Sequence, residues 1–152
     1  RKMKNDATAI IYFKDSKLNN VDDFLRVLLQ CGLEFDKQVH VSKKKYTYKQ
    51  NTTQDTTVVG DCLFFFKKNI NKKEVVKRKY EQRMIEKIVF EFTHKYLKKN
   101  KRVKISEILD NGLIKELFFC GYLGTLKDSS SIMKILQKRY KIEKKSKNII
   151  EI

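Results

Sequence analysis

Cys62-Leu63-Phe64-Phe65-Phe66 is an unbroken apolar run of strand length, too short for a helical core segment and far below the roughly 18 residues that span a bilayer. A strand that is apolar on both faces needs cover on both. Working outward, Val58 to Phe66 reads as one strand, preceded by a polar stretch from Ser42 to Thr57. Leu33 to Val41 places Phe35, Val39 and Val41 on roughly alternating positions, which predicts a second strand. Ala7 to Phe13, ATAIIYF, is a β-branched and aromatic run that predicts another, closed by Lys14-Asp15-Ser16-Lys17.

Between the first two strands lies an amphipathic helix. Asn20 is its expected N-cap, and Asp22 and Asp23 sit in the first turn, where carboxylates favour the positive end of the helix dipole. Val21, Phe24, Leu25, Leu28 and Leu29 form the apolar stripe, and Gly32 is the expected stop. Strand, helix, strand, long loop, strand is an incomplete α/β unit, because one helix cannot cover three strands on two sides. The start at Arg1, with no signal-peptide pattern beside it, reads as a piece of something longer.

After Lys68 the texture changes. Residues 69–152 hold 22 Lys/Arg against 10 Asp/Glu, whereas residues 1–68 hold 13 against 8. Val76, Tyr80, Met84, Ile88, Phe92 and Tyr96 recur every fourth position, widened by Val75, Ile85, Val89 and Leu97, and predict one long amphipathic helix over 72–99. Ser106 is the expected cap of a short helix through Leu109, broken at Asn111-Gly112, with a second over Leu113–Phe119. Asp128 or Ser129 caps a third through Ile132, Ile135 and Leu136 to about Arg139. Tyr140–Glu143 and Asn148–Ile152 alternate around a Lys-Ser-Lys turn and suggest a terminal hairpin. Short helices followed by a hairpin outline a winged helix, and short helices with a frayed tail are the alternative.

The net charge of +17 attracts polyanions, of which nucleic acid is the commonest. Codon usage favouring Lys, Asn and Ile is the plainer source of such a charge. The three cysteines, Cys31, Cys62 and Cys120, have no metal-ligand spacing, and Cys31 and Cys62 read as buried thiols in a reducing, cytoplasmic setting. His40 and His94 have no matched acid, Cys or Ser nearby in sequence and read as structural. Asp15 and Ser16 follow a strand's carboxyl end, where α/β sheets bind ligands.

The strand ATAIIYFKDS, the helix ending in Cys31-Gly32, the strand Phe35–Val41 and the closing Val59-Gly60-Asp61-Cys62-Leu63-Phe64-Phe65-Phe66-Lys67-Lys68 together resemble the end of the catalytic domain in bacterial adenine-N6 or cytosine-N4 DNA methyltransferases of restriction–modification type. The resemblance covers under half of the chain. It implies residues 1–68 as the C-terminal part of a Rossmann-like methyltransferase sheet (the fifth strand, its helix and the terminal antiparallel pair). Residues 69–152 then form a basic, helical or winged-helix domain. Such enzymes orient the target amine with an (Asp/Asn/Ser)-Pro-Pro-(Tyr/Phe) motif, which a chain without proline does not hold, and the five glycines do not form their S-adenosylmethionine loop. The resemblance therefore implies S-adenosylmethionine in an intact parent enzyme, no cofactor and no catalytic residue on this stretch, and an inactive fragment.

The strongest candidate contacts are Lys43, Lys44, Lys45, Tyr46, Tyr48 and Lys49, whose lysines neutralise phosphates and whose tyrosines stack on bases. By the resemblance this loop lies beside the pocket for the extruded base. The face of Lys72–Lys104 carries 13 Lys/Arg against four acids. Lys138, Arg139, Lys144, Lys145 and Lys147 fall on the last helix and hairpin and complete the candidate DNA-binding set. The expected partners are DNA, the remainder of the methyltransferase chain and a second copy paired through the exposed sheet edge, with no membrane. A stand-alone basic nucleic-acid-binding module and a protein-interaction module remain the alternatives.

Overall fold

The computed structural model describes residues 3–15, 17–41, 61–70, 74–143 and 148–151. Strand β1 (Thr8–Phe13), helix α1 (Leu18–Gln30), β2 (Leu33–Val41) and β3 (Asp61–Lys68) come first. Helix α2 (Gln82–Leu97), the short strand β4 (Arg102–Lys104) and α3 (Ile105–Ile108) follow. A kinked segment over Leu109–Leu113 leads into α4 (Ile114–Phe119), then α5 (Ser129–Gln137), β5 (Tyr140–Ile142) and β6 (Asn148–Glu151). The chain is mixed α/β with two three-stranded sheets among the described residues.

The first sheet has the order β1-β3-β2, with β3 antiparallel to both neighbours. Strands β1 and β2 therefore point the same way on either side of β3, and no hydrogen-bonded pair of described strands runs parallel. The expected Rossmann-like fragment is met at the level of an α/β sheet with a closing antiparallel strand, and no parallel sheet is present among the described residues. Alternation sorts the side chains by face. Ala9, Ile11, Phe13, Phe35, Phe64 and Phe66 face α1. Phe13 stacks on Phe24 of α1 with ring centroids 4.1 Å apart, and Phe64 and Phe66 meet Phe24 edge-on at 5.7 and 6.0 Å. Burying Phe66 completely contributes roughly 1.5–3 kcal/mol.

The opposite face is partly exposed at its described residues. Ile10 (57% exposed), Tyr12 (56%), Val39 (41%) and Val41 (43%) flank half-buried Leu63 and Phe65, and Lys37 lies over the Phe65 ring at 5.1 Å. The demand of the Cys62–Phe66 strand for cover on both faces is thus met on one.

The C-terminal elements build a second layer. Sheet order β4-β6-β5 is antiparallel throughout, so the terminal hairpin forms as expected, its turn lying outside the described residues. Leu113, Leu117, Phe118, Leu123, Ile132 and Leu136 are fully buried and join the Phe35, Phe64 and Phe66 set in one core. Phe118 meets Phe35 edge-on at 6.5 Å. Asp36, at the register shift of β2, bonds both Lys67 (3.0 Å) and Lys115 of α4 (3.5 Å). Burial raises its carboxyl, but the two lysines outweigh that and hold it below the usual carboxylate range.

Several local expectations change. The long helix begins at Gln82, and 74–81 is an extended strap without helical turns. Its backbone is held by tertiary bonds: Arg26 Nη1 donates to the Val75 carbonyl (2.6 Å), and the Arg78 N–H donates to the Gly121 carbonyl (3.0 Å). The Tyr122 hydroxyl reaches Glu81 at 3.1 Å. Within α2 the buried line is Ile85, Val89, Thr93 and Leu97, while Val76, Tyr80 and Met84 are exposed. Helix α1 begins at Leu18, before Asn20. Asp22 is not an exposed dipole partner but a buried carboxylate bound by Arg26 at 2.7 Å. Ser106 lies inside α3, whose first turn instead uses Glu107 to accept the Lys104 N–H at 3.4 Å. Gly112, with φ +129, has non-helical backbone and kinks the chain between two short helices, the break expected at Asn111-Gly112. Cys31 is exposed at the end of α1 and Cys62 half-buried; all three cysteines are free thiols.

Candidate nucleic-acid interface

The carboxyl ends of β1 and β2 lie at one end of the sheet, because Phe13 and His40 both have Cys62 as their partner on β3. Val41 and Asp61, which bracket the long loop, are paired at this same end. Lys43, Lys44, Lys45, Tyr46, Tyr48 and Lys49 lie outside the described residues, as does Ser16. Asp15 is occupied: its carboxylate accepts the Lys17 N–H (2.8 Å) and the Asn20 side-chain amide (2.7 Å), bracing the entry to α1.

The segment just before helix α5 bonds the start of α1, which follows the carboxyl end of β1. The Leu18 N–H donates to the Lys127 carbonyl at 2.9 Å, and Lys17 and Asp128 form a backbone bridge. Asp128 caps α5 by accepting the N–H groups of Ser130 (3.0 Å) and Ser131 (3.3 Å), as expected of a residue before an apolar-periodic run. Burial opposes its charged form, yet the Ser130 and Ser131 bonds outweigh burial and keep the carboxyl low. Ile132, Met133, Ile135 and Leu136 bury one side of α5. Lys134 and Gln137 are exposed on the other, with no partner among the described residues.

Lys138 and Arg139 are brought to this helix's end but turned toward α2. Lys138 pairs with Glu86, and Arg139 lies over the Phe90 ring at 5.6 Å. Lys141 is exposed on β5, while Lys144, Lys145 and Lys147 lie outside the described residues. Along the basic face predicted for 72–104, Lys77 meets Asp23 (3.3 Å), Lys87 meets Glu91 (3.9 Å) and Arg102 meets Glu143 (3.9 Å). Lys95, Lys98, Lys99 and Lys101 remain exposed around the carboxyl end of α2, the end whose dipole favours cations.

A junction that sequence reasoning missed stands beside the strand ends. His40 Nδ1 is bonded to Asp110 Oδ1, the His40 N–H donates to Asp110 Oδ2 (2.9 Å), and the Gln38 amide donates to Oδ1 (3.1 Å). The acid is 70 residues away in sequence, so no local spacing signals it. Burial disfavours the charged imidazole, but Asp110 and the adjacent Cys62 outweigh that and push His40 up to about 9. The ring is therefore an imidazolium at neutral pH, an ion-pair partner and not a general base. Half-buried His94 lies on α2. Among the described residues no group of three or more His, Cys, Asp or Glu is placed to hold a metal ion. No described helix is long and apolar enough to cross a membrane.

A separate groove lies at the other end of α1, lined by Arg26, Leu29, Gly32 and Glu74 among others. Its arginine is already committed to Asp22 and Val75, which leaves little free chemistry there. Comparison with protein-family models, curated proteins and solved structures gives no match.

Proposed function

We propose that the chain is the DNA-contacting C-terminal region of an S-adenosylmethionine-dependent DNA amino-methyltransferase, carrying neither the cofactor site nor the catalytic tetrapeptide. The observation that carries this reading is the antiparallel order β4-β6-β5 behind α5, whose N-cap segment Lys127-Asp128 bonds the start of α1 just after the carboxyl end of β1. In open α/β sheets that end is where ligands bind. The run α2, β4, α3–α4, α5, β5–β6 with sheet order β4-β6-β5 is compatible with a winged helix whose α5 is the groove-facing helix. On the methyltransferase side, β2 and β3 pair antiparallel, in keeping with the closing strand pair that the resemblance implies. The partly exposed apolar face of that sheet is the surface that the remainder of such a domain would cover.

Two measurements test this. A labelled duplex is titrated with the chain at 50 and 200 mM salt. Four phosphate contacts correspond to roughly a hundredfold loss of affinity over that range; a flat response, or no binding, removes the nucleic-acid part. For the parent enzyme, the genomic reading frame upstream of Arg1 should encode a glycine loop and a Pro-Pro-(Tyr/Phe) tetrapeptide. A frame opening near Met3 removes the methyltransferase part and leaves a stand-alone binding module.

A further inference from the structure

The exposed side of α5 is narrow. At 100° per residue, Ser130, Lys134 and Gln137 fall within about 60° of one another, and seven residues of rise place about 10 Å between the first and last. That length matches three base-pair steps. The other polar groups near this helix are engaged within the fold: Asp128 caps it, Lys138 holds Glu86, and Arg139 lies over Phe90. Lys134 and Gln137 have no such partner among the described residues. The hydroxyl of Ser130 is turned onto Asp128, so a small residue stands at the front of the row and lets the helix approach a groove closely.

We infer that Lys134 and Gln137 are the base-reading pair of this chain, set in the major groove of duplex DNA, while the exposed Lys127 and Lys141 at the two flanks of α5 contact phosphates. This rests on the nucleic-acid reading above and deepens it. The chemistry follows from the side chains. A glutamine carboxamide has one donor and one acceptor side, matching N7 and N6 of adenine. A lysine ammonium has donors only, matching O6 and N7 of guanine. Three residues of helix separate them by about 4.5 Å along the axis, close to one base step. The preferred site therefore contains a guanine and an adenine at adjacent pairs.

The test is selection of the chain Arg1–Ile152 on a duplex library with a randomised 12-bp centre, followed by titration of the enriched duplex and of the unselected library. Wild type enriches a site containing the adjacent guanine and adenine. Gln137→Ala loses the preference at the adenine and Lys134→Ala at the guanine. Each weakens the enriched duplex about ten- to hundredfold and the unselected library by under about threefold. Lys141→Ala weakens both duplexes alike and lowers the salt slope by about one. The exposed positions of 134 and 137 leave the fold intact, which circular dichroism of each variant checks. If wild type binds duplex but enriches no sequence, or if the α5 variants weaken both duplexes equally, this inference is overturned and the nucleic-acid reading stands. If wild type binds no duplex, both fall.

Discussion

Replacing His40 by Gln tests the junction between the sheet and the helical layer. In the folded chain the imidazole is pushed up to about 9 by Asp110 and Cys62, although burial works against it. In the unfolded chain it titrates near 6.5. Because the folded value is the higher one, the contribution to stability is fully present below pH 6.5 and lost as pH rises through 9. The difference corresponds to about 3 kcal/mol, and the ring is 13% exposed, so solvent screens it little. Urea unfolding of wild type and His40→Gln at pH 6, 8 and 10 measures this directly. The stability gap between the two proteins should be about 3 kcal/mol at pH 6 and shrink to under about 1 kcal/mol at pH 10. Taking the difference removes the lysines and tyrosines that also titrate in this range, and repeating the pair on a Cys62→Ser background separates the thiol beside His40. A gap that stays constant with pH would refute the reasoning, since it would mean that His40 is neutral in the folded chain and acts only by packing.

Gly121 has φ +81, and a Cβ there would stand 2.0 Å from the Val76 carbonyl oxygen. Gly121→Ala is therefore expected to lose about 3 kcal/mol or more in thermal unfolding, through backbone strain and displacement of the 74–81 strap; a midpoint within a degree of wild type contradicts it. Phe66→Ala should cost about 3–5 kcal/mol in the same assay, because the side chain is fully buried among Phe24, Phe35 and α1. Asp128→Ala removes the cap of α5 and should cost about 1 kcal/mol, with a matching loss of helical signal. Ile10→Lys combined with Val41→Lys should leave stability within about 0.5 kcal/mol, since both side chains are exposed on the face away from α1. Sedimentation of that double variant should also show any self-association through this face or the β1 edge abolished; a large loss of stability instead means the face is already covered.

Much of the local structure was legible in the residues. The β-branched and aromatic run Ala7–Phe13 and the alternation in Leu33–Val41 located two strands, the apolar run at Cys62–Phe66 located the third, and Asp128 before Ile132 located α5, because strand propensity and helix caps depend on neighbours in the chain. The strap at 74–81 was not legible. A four-residue apolar spacing continues through it, but its backbone bonds go to Arg26 and Gly121, and such partners outcompete helix formation without leaving a mark on the local pattern. Lys138 and Arg139 show the same limit at the candidate interface: charge singled them out, whereas Glu86 and Phe90, about fifty residues upstream, take up both. Lys134 and Gln137 became the free pair only by elimination in three dimensions.

By itself the sequence determined the α/β character, the positive field, the demand of the Cys62–Phe66 strand for cover on two faces, and the absence of a proline-containing catalytic motif. All of these follow from composition and short-range periodicity. Only the tertiary structure decided that α1 covers one face of that strand while the other is partly exposed at its described residues. It also decided that His40 meets Asp110, and that the segment before α5 bonds the start of α1. Those outcomes depend on contacts between residues about 40 to 110 positions apart, whose chain-closure cost is met by burial of a shared core and not by any preference of the local sequence.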